Sequence, residues 1–251
     1  MRKVIFWLVM LVFVLAFTAC SEVTTDTNAE EETTTKPSVD TEKSTDFFAD
    51  YLRNNRDYLI VVNEDHPYVF DGTYNTNLQK DLVYMADYDN VARPIEEATQ
   101  VAFTQMMEDL DENYDIQIDL VSAYRDETEQ EMVCDGYYTD LPKGKLEFED
   151  SIGPGYSEHH TGLLVMFAIK KDGKWTMDPT LDGDPEYEVI WENLANYGFI
   201  ERYPFDKDDI TGVDYNPYEI RFVGSTEVAQ AIVDSGMCLA EYIYEGDKDN
   251  E

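Results

Sequence analysis

Four short segments of this 251-residue chain hold the side chains best suited to metal, acid–base or carboxylate chemistry. His159 and His160 lie in Pro154-Gly155-Tyr156-Ser157-Glu158-His159-His160-Thr161-Gly162, and Arg125 ends Ser122-Ala123-Tyr124-Arg125. Glu219 lies in Pro217-Tyr218-Glu219-Ile220-Arg221-Phe222-Val223-Gly224, and His66 in Val62-Asn63-Glu64-Asp65-His66-Pro67. Imidazole and carboxylate can ligate zinc or move protons, while a guanidinium grips a carboxylate through a rigid fork of N–H donors. Read as an extended segment, His159 and His160 point to opposite faces and do not serve one ion. A site built from His159, Glu219 and a carboxylate such as Asp178, on the segment after the Asp172-Gly173 turn, is open by composition but not demanded by spacing.

The elements that must position these groups follow from hydrophobic period. Pro94, then Ile95, Ala98, Ala102, Met106 and Leu110, with Glu97, Gln100, Thr104 and Glu108 opposite, predicts a helix with proline in its first turn. Ile116, Ile118 and Leu120 alternate with polar residues as a strand that leads into Ser122–Arg125. Leu163 to Ile169 is apolar throughout, as in a strand covered on both faces, and Asp172-Gly173 predicts a tight turn after it. A helix carrying Trp191, Leu194 and Tyr197 ends at Gly198, and residues 217–223 alternate as a further strand. Helices interleaved with short strands make the fold class α+β.

The chain opens with Arg2 and Lys3, an apolar run from Val4 to Phe17, and then Thr18, Ala19 and Cys20. This pattern reads as a signal peptide over residues 1–20, and small residues before a cysteine resemble the lipobox of bacterial lipoproteins, in which the thiol is acylated. Residues 21–47 are Thr-rich and acidic with few large apolar side chains, so they read as a disordered tether. Residues 48–245 form the predicted domain and 246–251 an acidic tail. The expected location is the outer face of a bacterial cell membrane, held by the lipid on Cys20. With 54 acidic against 18 basic residues, the chain offers no positive surface for nucleic acid. Cys134 and Cys238 leave open either a disulfide or buried free thiols.

Taken in order, these motifs and Tyr197-Gly198-Phe199-Ile200-Glu201-Arg202-Tyr203-Pro204 resemble the VanY-type zinc D-alanyl-D-alanine carboxypeptidases over roughly residues 58–244. The resemblance implies a Hedgehog/DD-peptidase-like domain, a small mostly antiparallel sheet flanked by helices, acting on peptidoglycan stem peptides. It further implies a zinc ion held by the histidine of S-E-H-x-T-G, an aspartate seven residues later and the histidine of P-W-H. A glutamate just before that last motif is the implied base, and the arginine of S-x-Y-R the implied clamp for the substrate carboxylate. Three ligands leave a position for water, whose pKa the metal lowers.

Carried over residue by residue, the resemblance assigns the first metal ligand to His159 and the clamp to Arg125, with Ser122, Tyr124 and Ser157 beside the substrate. The aspartate position is Met166, the second histidine position Glu219 and the base position Asn216. A thioether is a poor zinc ligand, and an amide takes no proton from water. Loss of the base alone costs about 10²–10⁴ in rate. The expectation is therefore a pseudo-peptidase with no catalytic residue and no cofactor, binding a stem peptide or scaffolding at the wall. The alternatives are a zinc carboxypeptidase with an altered metal site, and a regulatory lipoprotein contacting another cell-wall protein through its acidic surface. Arg125 is also a candidate ion partner for Glu219, which must meet a cation if buried, and His66 reads as a fold feature.

Overall fold

Which strands lie inside the sheet follows from which are buried on both faces. In the computed structural model, which describes residues 56–70, 82–87, 89–135, 152–177 and 183–246, two such strands run side by side. Strand β4, Leu164–Lys171, is buried from Leu164 through Ile169, and strand β7, Asn216–Phe222, is buried from Pro217 onward. They occupy the two interior places of an antiparallel sheet ordered β3-β4-β7-β6, in which β3 is Ile118–Ser122 and β6 is Phe199–Tyr203. The Asp172-Gly173 turn returns the chain as β5, Lys174–Thr176, paired to the far end of β4. Asp172 and Gly173 both have positive φ, as such a turn requires.

A separate two-stranded ribbon, β1 (Leu82–Ala86) with β2 (Ala92–Glu96), precedes helix α1, Glu97–Tyr114. This corrects the helix start expected at Pro94. Pro94 sits in β2 opposite Tyr84, where an edge ribbon tolerates its missing N–H. The helix begins three residues later because the Glu96 side chain accepts the Thr99 N–H at 2.7 Å and caps it. Helix α1 then turns Thr99, Phe103, Met106 and Leu110 into the core, a repeat of three and four residues.

Helix α2, Glu127–Cys134, carries a reciprocal capping box between Asp126 and Glu129. After it come a 3-10 turn at Glu158–Thr161, helix α3 (Pro185–Asn193) and the short helix α4 (Asp208–Thr211). Helices α5 (Thr226–Ser235) and α6 (Leu239–Gly246) complete the chain. The main core joins Phe103, Leu110, Leu120, Phe167 and Ile220, and a second cluster joins Leu59, Val61, Ile200, Val228 and Cys238. Cys134 and Cys238 are free thiols, so the disulfide left open by the sequence is not formed.

Two glycines are fixed by close approach as well as by φ. Gly198 (φ +77°) ends the 3-10 turn that follows α3, and a Cβ there would come within 3.0 Å of the Phe222 ring. Gly162 (φ +73°) ends the Glu158–Thr161 turn, where a Cβ would lie 3.1 Å from the Glu96 nitrogen. Residues 1–55, including Cys20 and the tether, lie outside the described residues, as do Asp178 and residues 247–251.

Candidate functional site

The sheet register lines up the positions that the sequence singles out. Ser122 at the end of β3 faces Met166 on β4, and Met166 faces Glu219 on β7, so the three stand in one row across adjacent strands. His159 reaches this row from the 3-10 turn, which corrects the extended segment expected there. Ser157 accepts the His159 N–H through its side chain and Gly162 closes the turn in the left-handed region. The Arg125 N–H donates to the His159 carbonyl at 3.0 Å, tying the turn to the segment that follows β3.

His159 has only one tautomer open to it. Its Nδ1 makes a short contact to the Ala123 carbonyl, which can only accept, so Nδ1 carries the hydrogen. Its Nε2 lies 3.2 Å from Oε1 of Glu219. Two bare acceptors would repel at that distance, so a proton lies between imidazole and carboxylate. Burial, then the nearby Arg125 charge, push the His159 pKa below its ordinary value, and the hydrogen bond from Glu219 opposes them. Both side chains are nearly inaccessible, at 3% and 9% exposure, so little water competes for the contact.

Arg125 does not pair with Glu219 in the way the sequence left open. Its Nε donates to Ser122 Oγ at 2.9 Å and its Nη1 to Gln130 Oε1 at 3.3 Å. Gln130 in turn donates to the Ile152 carbonyl at 2.6 Å. The guanidinium is thus braced on two sides while remaining partly exposed. Tyr124 is partly exposed beside it, and Ser157 caps the turn. Asn216 at the start of β7 accepts the Tyr218 N–H at 3.2 Å, a local turn contact.

Two neighbours of His159 form the support that sequence reasoning missed. His160 donates from Nδ1 to the Arg125 carbonyl at 2.8 Å, and its Nε2 accepts the Gly155 N–H at 3.0 Å. Both ring nitrogens are satisfied only in the neutral form, and burial drives the His160 pKa down to about 4. Glu158 is wholly buried between Arg202 and Arg221, each with Nε 2.9 Å from Glu158 Oε2. Burial alone would raise the Glu158 pKa, but the two guanidinium charges outweigh it and hold the carboxyl below its ordinary range. Arg221 also donates to the carbonyls of Tyr58, Ile60 and Phe222. Arg202 keeps the ion pair, poorly aligned as a hydrogen bond, and lies 4.6 Å over the Tyr203 ring, while its Nη1 and Nη2 have no hydrogen-bond partner among the described residues. Arg221 on the alternating strand 217–223 was the signal available for this cluster, since a charge that such a strand buries needs a counter-charge. His66 binds Asn63 and stacks on Tyr244 at 4.5 Å, a packing role.

An antiparallel α+β sheet with a histidine turn and a braced arginine over one row of strand residues is the frame of a peptidase domain. Residues 93–225 match the family model described as VanY: D-alanyl-D-alanine carboxypeptidase. The chain belongs to that family. The YodJ protein of Bacillus subtilis (strain 168) is 26% identical over 239 residues, covering 87% of this chain and 85% of that one. A D-alanyl-D-alanine carboxypeptidase of Enterococcus faecalis is 36% identical over 133 residues, which are 49% of this chain and 46% of that protein. The match therefore spans about half the length of the enterococcal relative. Among solved structures, LdcB, an LD-carboxypeptidase described with its peptidoglycan recognition, is 25% identical with a TM-score of 0.60, covering 76% of this chain and 88% of LdcB. VanYB in complex with D-alanine-D-alanine is 29% identical with a TM-score of 0.55, covering 74% and 97%. The domain has the Hedgehog/DD-peptidase fold of these neighbours.

A vancomycin-resistance D,D-pentapeptidase VanY was solved in complex with Zn(II), 26% identical with a TM-score of 0.56 and covering 74% of this chain and 99% of that one. The donor set here does not fit that ion. The nitrogen of His159 that would face a metal is engaged by Glu219, Met166 offers a neutral thioether, and the Asn216 amide is spent on the backbone. Among the described residues no three His, Cys, Asp or Glu side chains are grouped as a metal site.

Proposed function

We propose that this protein is a cell-surface lipoprotein, anchored through Cys20 at the outer face of the membrane, whose D-alanyl-D-alanine carboxypeptidase-like domain binds peptidoglycan stem peptides without cleaving them. One observation carries the reading: the Glu219 carboxylate bonds the His159 ring nitrogen at 3.2 Å, in a row with Met166, so imidazole, carboxylate and a shared proton occupy the row where zinc chemistry needs open ligands. The base position gives no alternative route, because the Asn216 amide is not a proton acceptor.

Binding capacity is retained where hydrolysis is not. Arg125 is held by Ser122 and Gln130 in an orientation its own flexible chain would not keep, which lowers the entropic cost of gripping a C-terminal carboxylate. His159, itself seated by the Glu158 cluster, fixes the Arg125 backbone from the other side. The same residues that served a reaction thus suit a carboxylate-recognition site.

The test is to purify the chain in detergent, measure zinc by elemental analysis, and follow D-alanine release from an acyl-D-alanyl-D-alanine peptide beside calorimetric binding of that peptide. We expect well under one zinc per chain, no zinc-dependent release, and binding that Arg125→Ala weakens at least tenfold. One zinc per chain, lost on His159→Ala and accompanied by D-alanine release, would establish instead a zinc carboxypeptidase with an altered metal site.

A further inference from the structure

The described part of the fold opens with the 3-10 turn Arg56–Leu59 and continues through residues 60–62, which lie in no helix or strand. Leu59, Val61 and Val62 are nonetheless buried, and Leu59 and Val61 pack in the second cluster with Ile200, Val228 and Cys238. Tyr58 sets its ring edge-on to Phe222 at 5.6 Å.

Two buried charges hold this backbone where a neighbouring strand does not. Arg221 donates from Nη1 to the Tyr58 carbonyl at 3.1 Å and from Nη2 to the Ile60 carbonyl at 2.8 Å. The Val62 N–H donates to Oε1 of Glu158 at 3.2 Å, while Oε2 of Glu158 meets Arg202 and Arg221. One carboxylate thus joins residues 58–62 to the arginine pair. Hydrogen bonds to buried ions are among the stronger ones, because a dry site offers no water in exchange when they break.

Glu158 is also the first residue of the turn that carries His159. Its carbonyl accepts the Thr161 hydroxyl at 2.7 Å, which keeps the turn closed. From that turn the His159 carbonyl accepts the Arg125 N–H at 3.0 Å, and His160 Nδ1 donates to the Arg125 carbonyl at 2.8 Å. The turn therefore engages both backbone polar groups of Arg125, while Ser122 and Gln130 set its guanidinium. If residues 58–62 leave their seat, Glu158 loses its backbone donor and Arg221 loses two of its three carbonyl acceptors among the described residues. Arg202, with Nη1 and Nη2 already lacking hydrogen-bond partners among those residues, shows that the cluster holds no spare acceptor.

We infer that residues 58–62 are a strap whose seating sets the carboxylate clamp: seated, it holds the His159 turn and with it the Arg125 backbone, and unseated, it lets turn and clamp loosen together. The inference rests on the carboxylate-binding reading of Arg125. It makes the first segment of the fold a regulator of binding, through one element with two states that both ends of the connection bias.

The experiment uses the full chain in detergent micelles, with amide hydrogen exchange read by nuclear magnetic resonance and calorimetry with Nα-acetyl-alanyl-D-alanyl-D-alanine. Leu59→Ala loosens the strap without touching the ion cluster or the clamp. It is expected to speed exchange at the Val62 and Arg125 amides by the same factor, at least tenfold, as a cavity beneath the strap would produce. The Lys170 amide, which donates to the Gln117 carbonyl between β3 and β4, should stay within about twofold and controls for global opening. The same variant should weaken the peptide about tenfold, and by reciprocity saturating peptide should slow Val62 exchange in the native chain. If Leu59→Ala fails to fold by circular dichroism, Val61→Ala is read in the same way. Faster exchange at Val62 with Arg125 unchanged, or equal acceleration at Lys170, would overturn the strap. Peptide binding that Arg125→Ala weakens but Leu59→Ala does not would sink the strap alone and leave the clamp reading standing. No peptide binding by the native chain, or binding indifferent to Arg125→Ala, would sink the clamp reading and the inference with it.

Discussion

Replacing Glu158 with Gln keeps the side chain's shape and its oxygen toward the Val62 N–H, while removing the anion that, among the described residues, pairs with two fully buried guanidiniums. The two cations do not suffer equally. Arg221 retains the carbonyls of Tyr58, Ile60 and Phe222, whereas Arg202, 0% exposed, has nothing else among the described residues to satisfy Nη1 and Nη2. Breaking a buried ion pair from one side costs about 3–5 kcal/mol, so Glu158→Gln should remove a large part of the roughly 5–15 kcal/mol that holds a domain folded. Urea unfolding at pH 7 followed by circular dichroism reads this directly. Because the penalty is ascribed to the orphaned Arg202, adding Arg202→Met to the Glu158→Gln chain should restore about 1–3 kcal/mol as an apolar side chain fills the site. The pH dependence has a definite sign. The folded carboxyl titrates below its ordinary 4.5, so its stabilisation is complete above about that value and is lost as pH falls through the depressed folded value. That acid-side loss should be missing from Glu158→Gln. A cost under 1 kcal/mol, or a second substitution that destabilises further, would refute the assignment of the cluster as an electrostatic pin for the 3-10 turn.

Glu219→Ala leaves His159 Nε2 without its partner and should destabilise the chain by about 1–3 kcal/mol in the same urea assay, against about 0.5 kcal/mol or less for an exposed glutamate such as Glu112. His160 titrates from 6.5 in the unfolded chain down to about 4 in the fold, so neutral burial contributes stability that is full above about pH 6.5 and erodes on acidification toward pH 4, by at most about 3 kcal/mol. His160→Gln, which can meet both backbone partners without titrating, should flatten that part of the profile, and identical profiles for the two proteins would contradict it. Met166→Asp, Glu219→His and Asn216→Glu together should bring about one zinc per chain by elemental analysis, since they supply two ligands and a base beside His159. Cys20→Ser should release the chain from isolated membranes or leave its N-terminus unprocessed, and unchanged membrane association with normal processing would oppose the anchor.

The residues of the site were legible in the sequence as chemistry, because a thioether at 166, a carboxylate at 219 and an amide at 216 have fixed donor properties wherever they are placed. Local signals also carried the Asp172-Gly173 turn, the Gly198 cap and the alternation of residues 217–223, each set by a few neighbouring residues. The helix start was misplaced at Pro94, since proline suits both a first helical turn and an edge strand, and only the Glu96 cap onto Thr99 decides between them. What Glu219 bonds was beyond local reading: its partner His159 lies 60 residues away in the chain, and a cross-strand register selects it over Arg125. The same holds for Glu158, which reads locally as a turn residue but becomes the counter-charge of two arginines from separate strands. Side-chain chemistry belongs to the residue itself, whereas the burial that makes one charge require another arises only when strands distant in sequence close over it.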